Sequence, residues 1–317
     1  MLSRVADAIY WMGRYLERAE NIARLLLVTE DFSTETQGLD EALAQTAWKD
    51  LLAMLPTAQL TRPVSAFAPL SLPYLTSFFL DGQNAYSVHY SLRKARENAR
   101  SVREALTVEV FMSMNETFHL VEAHARKGLT DPPGLRDALT STHRSIFSVV
   151  GAIESTFARD EGWHFLKLGE SVERMYRAAL ILRARLPALL TSEPRTDLPL
   201  YYSQWRTLLR LLSSLENYRK AHGARLEPDL VVGFLVFDAQ SPRSLRAGAA
   251  TIKDYTERIA GGRDLTPAAR VMGKLHADLC YADATAVRRP ELPAFLDGVV
   301  DALTRGHDAL AAQYFVT

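Results

Sequence analysis

The amino-acid sequence predicts an all-α protein built from two diverged helical-bundle repeats that are related by internal pseudo-symmetry. Three observations support this fold class. Apolar residues recur at steps of three and four over long stretches, strand-like alternation is nearly absent, and segments of the first half recur in the second half at a nearly constant offset. A chain of 317 residues can bury a large core, so we expect roughly ten or more helices packed as bundles.

The helical pattern is clearest at two places in the first half. Ser3 is a suitable N-cap for the first helix, whose apolar seam consists of Leu2, Val5, Ile9, Met12, Leu16, Ala19, Ala23 and Leu26. A second seam consists of Val88, Leu92, Ala95, Ala99, Val102 and Leu106. Segments rich in proline or glycine separate such runs and predict helix ends at 56–73, 128–134, 187–199 and 290–293.

Internal repetition is indicated by segments that match between the two halves. The hexapeptide G-R-Y-L-E-R at Gly13 matches G-E-S-V-E-R at Gly169, 156 residues further on. An offset of 157 residues relates three other pairs, which are Trp48 and Trp205, Asp81 and Asp238, and Ser87 and Ser244. We therefore expect one helical repeat at 1–155 and a second at 156–317, and the two could also form one continuous domain.

Composition limits the classes of partner and the cellular compartment. Lys+Arg and Asp+Glu number 37 each, so no overall charge favours nucleic acid or an anionic membrane surface. Cys280 is the only cysteine, which excludes an internal disulfide and a cysteine-based zinc site and fits a reducing compartment. Charged residues interrupt the N-terminal apolar stretch, and no apolar segment is long enough to span a bilayer. We expect a cytoplasmic protein without membrane attachment.

Two glycine–glutamate pairs are candidates for a functional or structural site. Gly13 and Glu17 are four residues apart and share a helix face, and Gly169 and Glu173 repeat this spacing. A glycine at such a position allows another backbone or a ligand to approach closely, so both glycines are expected to be structural.

Each of these glutamates is followed by an arginine that points away from it around the helix. We expect Glu17 to pair with Arg174 and Glu173 with Arg18, across a pseudo-twofold axis. Such a salt-bridge network would be structural. The alternative is that Glu17 and Glu173 face a shared cleft between the repeats and act as acid, base or amine-binding groups.

A basic stripe follows the second apolar seam. Its residues are Arg93, Arg96, Arg100 and Arg103, and their steps of three and four place them on one helix face. A solvated charged face explains the stripe about as well as a binding site for an anion or an acidic partner does.

Neither a metal nor a standard cofactor is expected. Two Glu-x-x-His motifs, Glu116 to His119 and Glu161 to His164, superficially resemble the ligand pairs of di-metal carboxylate bundles. Gly162 interrupts the second motif and indicates a helix start, which makes it a poor platform for ligands. The sequence contains no P-loop, dinucleotide-binding glycine motif, nucleophilic serine motif or cysteine nucleophile context.

Several segments together resemble the bacterial alpha-E family, which is named for its helices and its Glu-Arg signature. They are L-S-R-V-A-D-A-I-Y-W-M-G-R-Y-L-E-R-A-E-N-I-A-R-L-L near the start, A-R-E-N-A-R-S-V-R-E at 95–104, E-V-F-M-S-M-N at 109–115 and E-G-W-H-F-L-K-L-G-E-S-V-E-R at 161–174. The resemblance covers essentially the whole chain. Phe111 stands where the family more often has tryptophan, and Ala85-Tyr86 replaces a proline-containing turn that is retained at Ser241-Pro242.

The resemblance implies both signature positions and partners. The signature falls on Gly13, Arg14, Glu17, Arg18, Glu20, Asn21, Arg96, Asn98, Arg100, Arg103, Asn115, Gly169, Glu173 and Arg174. Members of the family are associated with circularly permuted ATP-grasp ligase-like proteins and with transglutaminase-like proteases. The implied setting is the ATP-dependent formation or trimming of amide or peptide bonds.

These observations lead to one preferred function and two alternatives. We expect a helical accessory or scaffold subunit of an ATP-grasp ligase-like partner, with Arg14, Arg18, Arg174 and residues of the basic stripe, Asn98 included, as binding residues. The first alternative is an enzyme of amide or peptide metabolism that uses Glu17 and Glu173 for proton transfer. The second is a structural dimerisation module, since a homo-oligomer is compatible with the sequence.

Overall fold

The structure is a computed structural model that describes residues 1–36, 40, 49–51, 53–55, 72–191, 198–262, 265–282 and 291–315. Within these ranges the chain forms the twelve α-helices and the 3-10 helix given below, has further helical residues at 49–51 and 53–54, and contains no β-strand, so the all-α prediction is confirmed. The α-helices are α1 (Ser3–Thr36), α2 (Leu72–Leu80), α3 (Val88–Ser101), α4 (Val108–Lys127), α5 (Pro132–Thr156), α6 (Glu161–Thr191), α7 (Leu198–Leu211), α8 (Leu215–His222), α9 (Pro228–Phe237), α10 (Leu245–Ala260), α11 (Pro267–Tyr281) and α12 (Leu292–Tyr314). The 3-10 helix covers Arg103–Ala105. None of these helices has both the length and the apolar character that crossing a membrane requires.

The first of two compact units contains Met1–Asp31, Leu55–Glu173 and Tyr314–Thr317. Inside it, α4 packs against α3 and α5, and α2 packs against α3. The buried apolar residues of α3 and α4 follow the three-and-four spacing that the sequence shows, and they include Val88, Leu92, Ala95, Ala99, Val110, Met114 and Val121. Removal of these side chains from water is the main force that holds the helices together.

The second unit contains Phe32–Met54 and Arg174–Gln313. Here α10 packs against α9 and α11, and α9 also packs against α7. The ring of Phe295 on α12 lies 6.0 Å from that of Phe237 on α9. Trp205 on α7 is fully buried.

Both long helices contribute to the two units, because the boundaries between units fall after Asp31 in α1 and after Glu173 in α6. Each unit therefore combines segments from both halves of the sequence. The division into repeats at 1–155 and 156–317 stays a prediction.

A hydrogen-bonded turn precedes α3 in the first unit. The Asp81 carboxylate accepts a hydrogen bond from the Gln83 amide at 2.8 Å. The Ser87 hydroxyl donates to the Asp81 carbonyl oxygen at 2.6 Å and accepts from the Tyr90 amide at 2.9 Å, so the same side chain closes the turn and caps the helix.

The turn that precedes α10 in the second unit has the same hydrogen bonds. The Asp238 carboxylate accepts from the Gln240 amide at 2.8 Å. The Ser244 hydroxyl donates to the Asp238 carbonyl oxygen and accepts from the Ala247 amide at 3.1 Å. Aspartate, glutamine and serine thus have the same roles at positions that are 157 residues apart.

The helix end that the sequence predicts within 187–199 lies at Thr191. α6 continues through Pro187 to Thr191, whose hydroxyl donates to the Pro187 carbonyl oxygen at 3.0 Å. A proline lacks the amide donor for the residue four positions earlier, but so close to the end of a 31-residue helix this loss affects only the last turn.

The proline-containing segments at 56–73 and 290–293 each end in a proline that lies at a helix start. Pro73 lies in the first turn of α2 and Pro293 in the first turn of α12, where a proline removes no needed intrahelical donor. Trp48, which is one anchor of the predicted repeat, and residues 56–71 of the first proline-rich segment lie outside the described residues.

Candidate functional site

Two glycines bring the backbones of α1 and α6 into direct contact inside the first unit. A β-carbon added at Gly13 would overlap the Leu166 carbonyl oxygen, and one added at Gly169 would overlap the Tyr10 carbonyl oxygen. A shift of three residues forward along α1, from Tyr10 to Gly13, moves the contact three residues back along α6. The two segments are therefore antiparallel, and their separation at this point is one that only glycine allows.

This close contact places Glu173 of α6 beside Arg14 and Arg18 of α1. The Glu173 carboxylate accepts from Arg14 Nε at 2.9 Å, from Arg18 Nε at 2.7 Å and from Arg18 Nη2 at 3.1 Å. The Glu173 side chain is fully buried, and those of Arg14 and Arg18 are 10% and 15% exposed. The geometry contains the Glu173–Arg18 pair that the sequence predicts and adds Arg14, which is one helical turn away from Arg18 on the same face. We call these three residues the Glu-Arg triad.

Aromatic rings cover the two guanidinium groups of the triad. Arg14 Cζ lies 4.7 Å from the centre of the Trp11 ring, and Arg18 Cζ lies 5.0 Å from that of Tyr15. A guanidinium group binds favourably to an aromatic face while it donates hydrogen bonds in its own plane. Each arginine is thus fixed by a carboxylate and a ring together.

Electrostatics keeps both arginines charged. Burial acts to lower the pKa of Arg14, but the Coulombic effects of Tyr10 and Glu173 outweigh it, and the pKa is raised above its ordinary value. Burial likewise acts to lower the pKa of Arg18, and the charge and hydrogen bonds of Glu173 raise it. Burial also raises the pKa of the Tyr10 hydroxyl, which is therefore neutral at physiological pH.

The triad is suited to structural work rather than to proton transfer. A general acid or base needs access to substrate and a pKa near the working pH, whereas Glu173 is fully buried and accepts hydrogen bonds from two cations. Two arginines and one carboxylate carry a net charge of +1, so the triad also contributes positive potential to this part of the first unit.

Glu17 and Arg174 are placed differently from Glu173. Glu17 is buried on α1, and Arg174 is half-buried on α6 and belongs to the second unit. Their pairing stays a prediction, and so does the acid–base role of Glu17.

A second buried ion pair, which the sequence reasoning missed, lies further along α1. The Arg24 guanidinium donates to both carboxylate oxygens of Glu20, at 2.9 and 3.1 Å, and His143 Nε2 of α5 lies 3.2 Å from Glu20 Oε1. The spacing of Glu20 and Arg24 is a sequence signal for the pair. No sequence signal connects them to His143, which is more than a hundred residues away in the chain.

Three arginines of the basic stripe donate hydrogen bonds to neutral acceptors. Arg93 Nη2 donates to the Gly82 carbonyl oxygen at 2.9 Å, Arg96 Nε donates to Asn115 Oδ1 at 2.6 Å, and Arg103 Nη1 donates to the Leu106 carbonyl oxygen at 3.2 Å. Glu97 pairs with Lys94 at 2.7 Å and lies 4.0 Å from Arg93. Arg100 is exposed.

Three of the four arginines stack on rings. The distance from Cζ to the ring centre is 5.2 Å for Arg93 on Tyr90, 4.7 Å for Arg96 on Phe118 and 4.6 Å for Arg103 on Phe111. α3 ends at Ser101, so Arg103 lies in the 3-10 helix rather than on α3 itself. We call Arg96, Arg100 and Arg103 the arginine row. Among the described residues, no carboxylate lies within 4.0 Å of these three guanidinium groups.

Asn115, another residue of the family signature, contacts the arginine row. Asn115 is bound to Arg96 and also donates from Nδ2 to the Phe111 carbonyl oxygen at 3.0 Å. Asn98 is half-buried and lies about 200° around the helix from Arg96.

Within the described residues, no cluster of metal-binding side chains forms around the two Glu-x-x-His motifs. Glu116 and His119 are exposed on α4, and Gly162 is the second residue of α6, as the expected helix start requires. In the described part of the chain, no three His, Cys, Asp or Glu side chains are grouped as a metal site would need.

Comparison with known proteins identifies relatives whose functions are not characterised. An uncharacterized protein of Mycobacterium bovis is 26% identical over 336 residues, which cover 98% of this chain and 36% of the relative. An uncharacterized protein of Mycobacterium tuberculosis H37Rv is 25% identical over the same coverage. The chain thus spans about a third of the length of these curated relatives. No solved structure matches the chain.

A family model also matches this chain. It matches residues 1–315 and describes a predicted α-helical domain with a conserved Glu-Arg motif. Glu-Arg dipeptides occur in this chain at Glu17-Arg18, Glu173-Arg174 and Glu257-Arg258, and Arg18 and Glu173 from the first two are bound to each other in the triad. The chain therefore belongs to the Alpha-E family of helical domains.

Proposed function

We propose that this protein is a helical accessory subunit that works with an ATP-grasp ligase-like protein in forming or modifying peptide or amide bonds. The observation that carries the proposal is the contrast between its two charged sites. The signature carboxylate Glu173 is saturated by Arg14 and Arg18, whereas the arginine row retains positive charge without a carboxylate partner among the described residues. An accessible cationic surface together with a saturated signature carboxylate fits recognition better than catalysis.

The family resemblance supports the choice of partner, and a transglutaminase-like protease is the second partner class that it implies. The greater length of the mycobacterial relatives supports the view that a domain of this kind works together with additional protein. The free thiol of Cys280, the only cysteine, fits a cytoplasmic setting.

An internal duplication is part of the proposal. The matching hydrogen bonds of Asp81 and Ser87, and of Asp238 and Ser244, support a common origin of the two turns. The residues keep their type, their offset and their role in capping a helix. In this view, repeats at 1–155 and 156–317 each begin with a long helix that carries a Gly-x-x-x-Glu-Arg segment.

The alternative function, an enzyme that uses Glu17 and Glu173 as acid and base, has less support. Glu173 would have to leave two guanidinium groups before it could accept or deliver a proton. The loss of such charge-assisted hydrogen bonds inside a protein is costly.

The test is a pull-down combined with an ATP-turnover assay. This protein and an ATP-grasp ligase-like protein from the same genome are assayed alone and together, with candidate amino acids and peptides as substrates. We expect the two proteins to co-purify and ATP turnover to rise when both are present. If they neither associate nor change turnover, the accessory function is wrong, and independent chemistry at Glu17 and Glu173 becomes the question to examine.

A further inference from the structure

Two guanidinium groups of the arginine row are already oriented in the unbound protein. Arg96 and Arg103 are each fixed by one ring and one neutral acceptor, which orients the guanidinium group without neutralising its charge. A partly buried arginine without a carboxylate has lost some hydration and gains more from an incoming anion than a fully solvated one does. The entropic cost of ordering these side chains has already been met in the free protein.

The spacing of the arginines determines how far apart the acidic groups of a ligand must be. Arg96 and Arg100 are one turn apart on α3, about 6 Å along its axis at a rise of about 1.5 Å per residue, and Arg103 follows in the 3-10 helix. Carboxylates on alternate residues of an extended peptide are about 7 Å apart. Two such carboxylates can therefore each meet one guanidinium fork in the bidentate manner that arginine favours.

Residues beside the arginine row favour an acidic peptide over a densely charged polymer as the ligand. Glu104 and Glu109 are exposed near the row and would repel a continuous polyanion. Val108 and Met112 are 58% and 51% exposed on the first turns of α4, next to the Phe111 ring that supports Arg103. An apolar side chain of a peptide can pack there, beyond the acidic residues that bind the row.

We propose that the arginine row binds an extended acidic peptide segment that has two carboxylates on alternate residues, about 7 Å apart. This inference rests on the proposed function, in which an accessory subunit holds a peptide for its partner, and it adds the chemistry and the position of the binding surface. Arg96 and Arg103 are the orienting cations. Arg100 is the exposed cation that the peptide reaches first.

The experiment measures fluorescence anisotropy with a labelled peptide of alternating glutamate and leucine. We expect saturable binding that weakens as salt rises, and at least a tenfold weaker Kd for Arg100→Ala. The matched control is Arg144→Ala, which removes another exposed arginine of the first unit, on α5, and should leave the Kd unchanged. Since Arg100 is exposed, its replacement leaves the buried core intact.

A second probe separates charge from apolar contact. The same peptide with glutamine in place of glutamate should bind at least tenfold more weakly. The inference is overturned by equal binding of the two peptides, by an unchanged Kd for Arg100→Ala, by tighter binding of a single-stranded DNA oligonucleotide, or by no saturable binding up to about 1 mM peptide.

The outcomes also distinguish this inference from the proposed function. If the ATP-grasp partner associates and is stimulated but the peptide does not bind, the accessory function stands and the peptide site is wrong. If the peptide binds through Arg100 but no partner associates, the site stands and the accessory function is wrong.

Discussion

Replacement of Glu173 by glutamine is expected to lower the free energy of unfolding by about 3–5 kcal/mol, which is the usual cost of removing one partner from a buried ion pair. Arg14 and Arg18 would keep their charges, because a guanidinium group is not deprotonated in proteins. Two guanidinium groups would then remain largely buried without a carboxylate. Urea denaturation followed by circular dichroism measures the loss.

Glu97→Gln provides the matched control for Glu173→Gln. Glu97 is about half exposed and pairs with Lys94 on the surface of α3, so its replacement should cost no more than about 1 kcal/mol. Equal small effects for the two variants would show that the triad contributes little to stability, and the structural role of the signature glutamate would have to be abandoned.

Replacement of Gly13 or Gly169 by alanine is expected to destabilise the protein by about 3 kcal/mol, at the upper end of the range for overpacking. In both cases the new β-carbon would meet a backbone carbonyl oxygen on the other helix, that of Leu166 or of Tyr10. A side chain can rotate away from such a contact, but a helix backbone can move only if the whole α1–α6 contact opens. The Glu-Arg triad, which depends on that contact, would be disturbed as well.

Gly151→Ala tests whether this cost comes from the contact or from the helix. Gly151 lies inside α5, is exposed, and has open space where its β-carbon would be. Alanine should stabilise the helix there by about 0.5–1 kcal/mol. If Gly13→Ala and Gly169→Ala also stabilised the protein in thermal denaturation, the close approach of the two backbones would be contradicted.

Much of the fold was predictable because helix formation leaves a periodic signal in the chain. The first seam is buried on α1 from Ile9 to Leu26, whereas Leu2 precedes the helix and is exposed. The second seam is buried on α3 from Val88 to Ala99, and Val102 and Leu106 follow the end of that helix. A helix end was expected within 187–199, and α6 ends there at Thr191. The exact residue was not predictable from Pro187, since a proline near the end of a long helix costs little when the preceding turns are well packed.

The triad was predictable in part. The Glu173–Arg18 pair was expected because adjacent glutamate and arginine residues diverge around a helix and each needs another partner. Arg14 was not assigned to the same carboxylate, although its spacing of four residues from Arg18 carries that information. His143 could not be assigned to Glu20, because their proximity depends on how α5 packs and not on any local pattern.

The arginine row shows a different limit of sequence reasoning. The stripe of Arg93, Arg96, Arg100 and Arg103 is visible as a spacing, but the sequence does not tell whether carboxylates neutralise it. The structure distinguishes Arg93, which lies near Glu97, from the three residues of the row. It also places Phe111 and Phe118 beneath two of them, which follows from the packing of α4 against α3.

The most direct test of the account measures how well a triad-free variant stimulates ATP turnover by the ATP-grasp partner. In this variant, Arg14→Met, Arg18→Met and Glu173→Leu replace the whole buried network by apolar side chains of similar size, an exchange that is often neutral or stabilising. The account predicts a folded protein that stimulates turnover as the wild type does, because the triad only supports the fold. A variant that folds with wild-type stability but no longer stimulates its partner would contradict the account and show that the signature residues act directly in function.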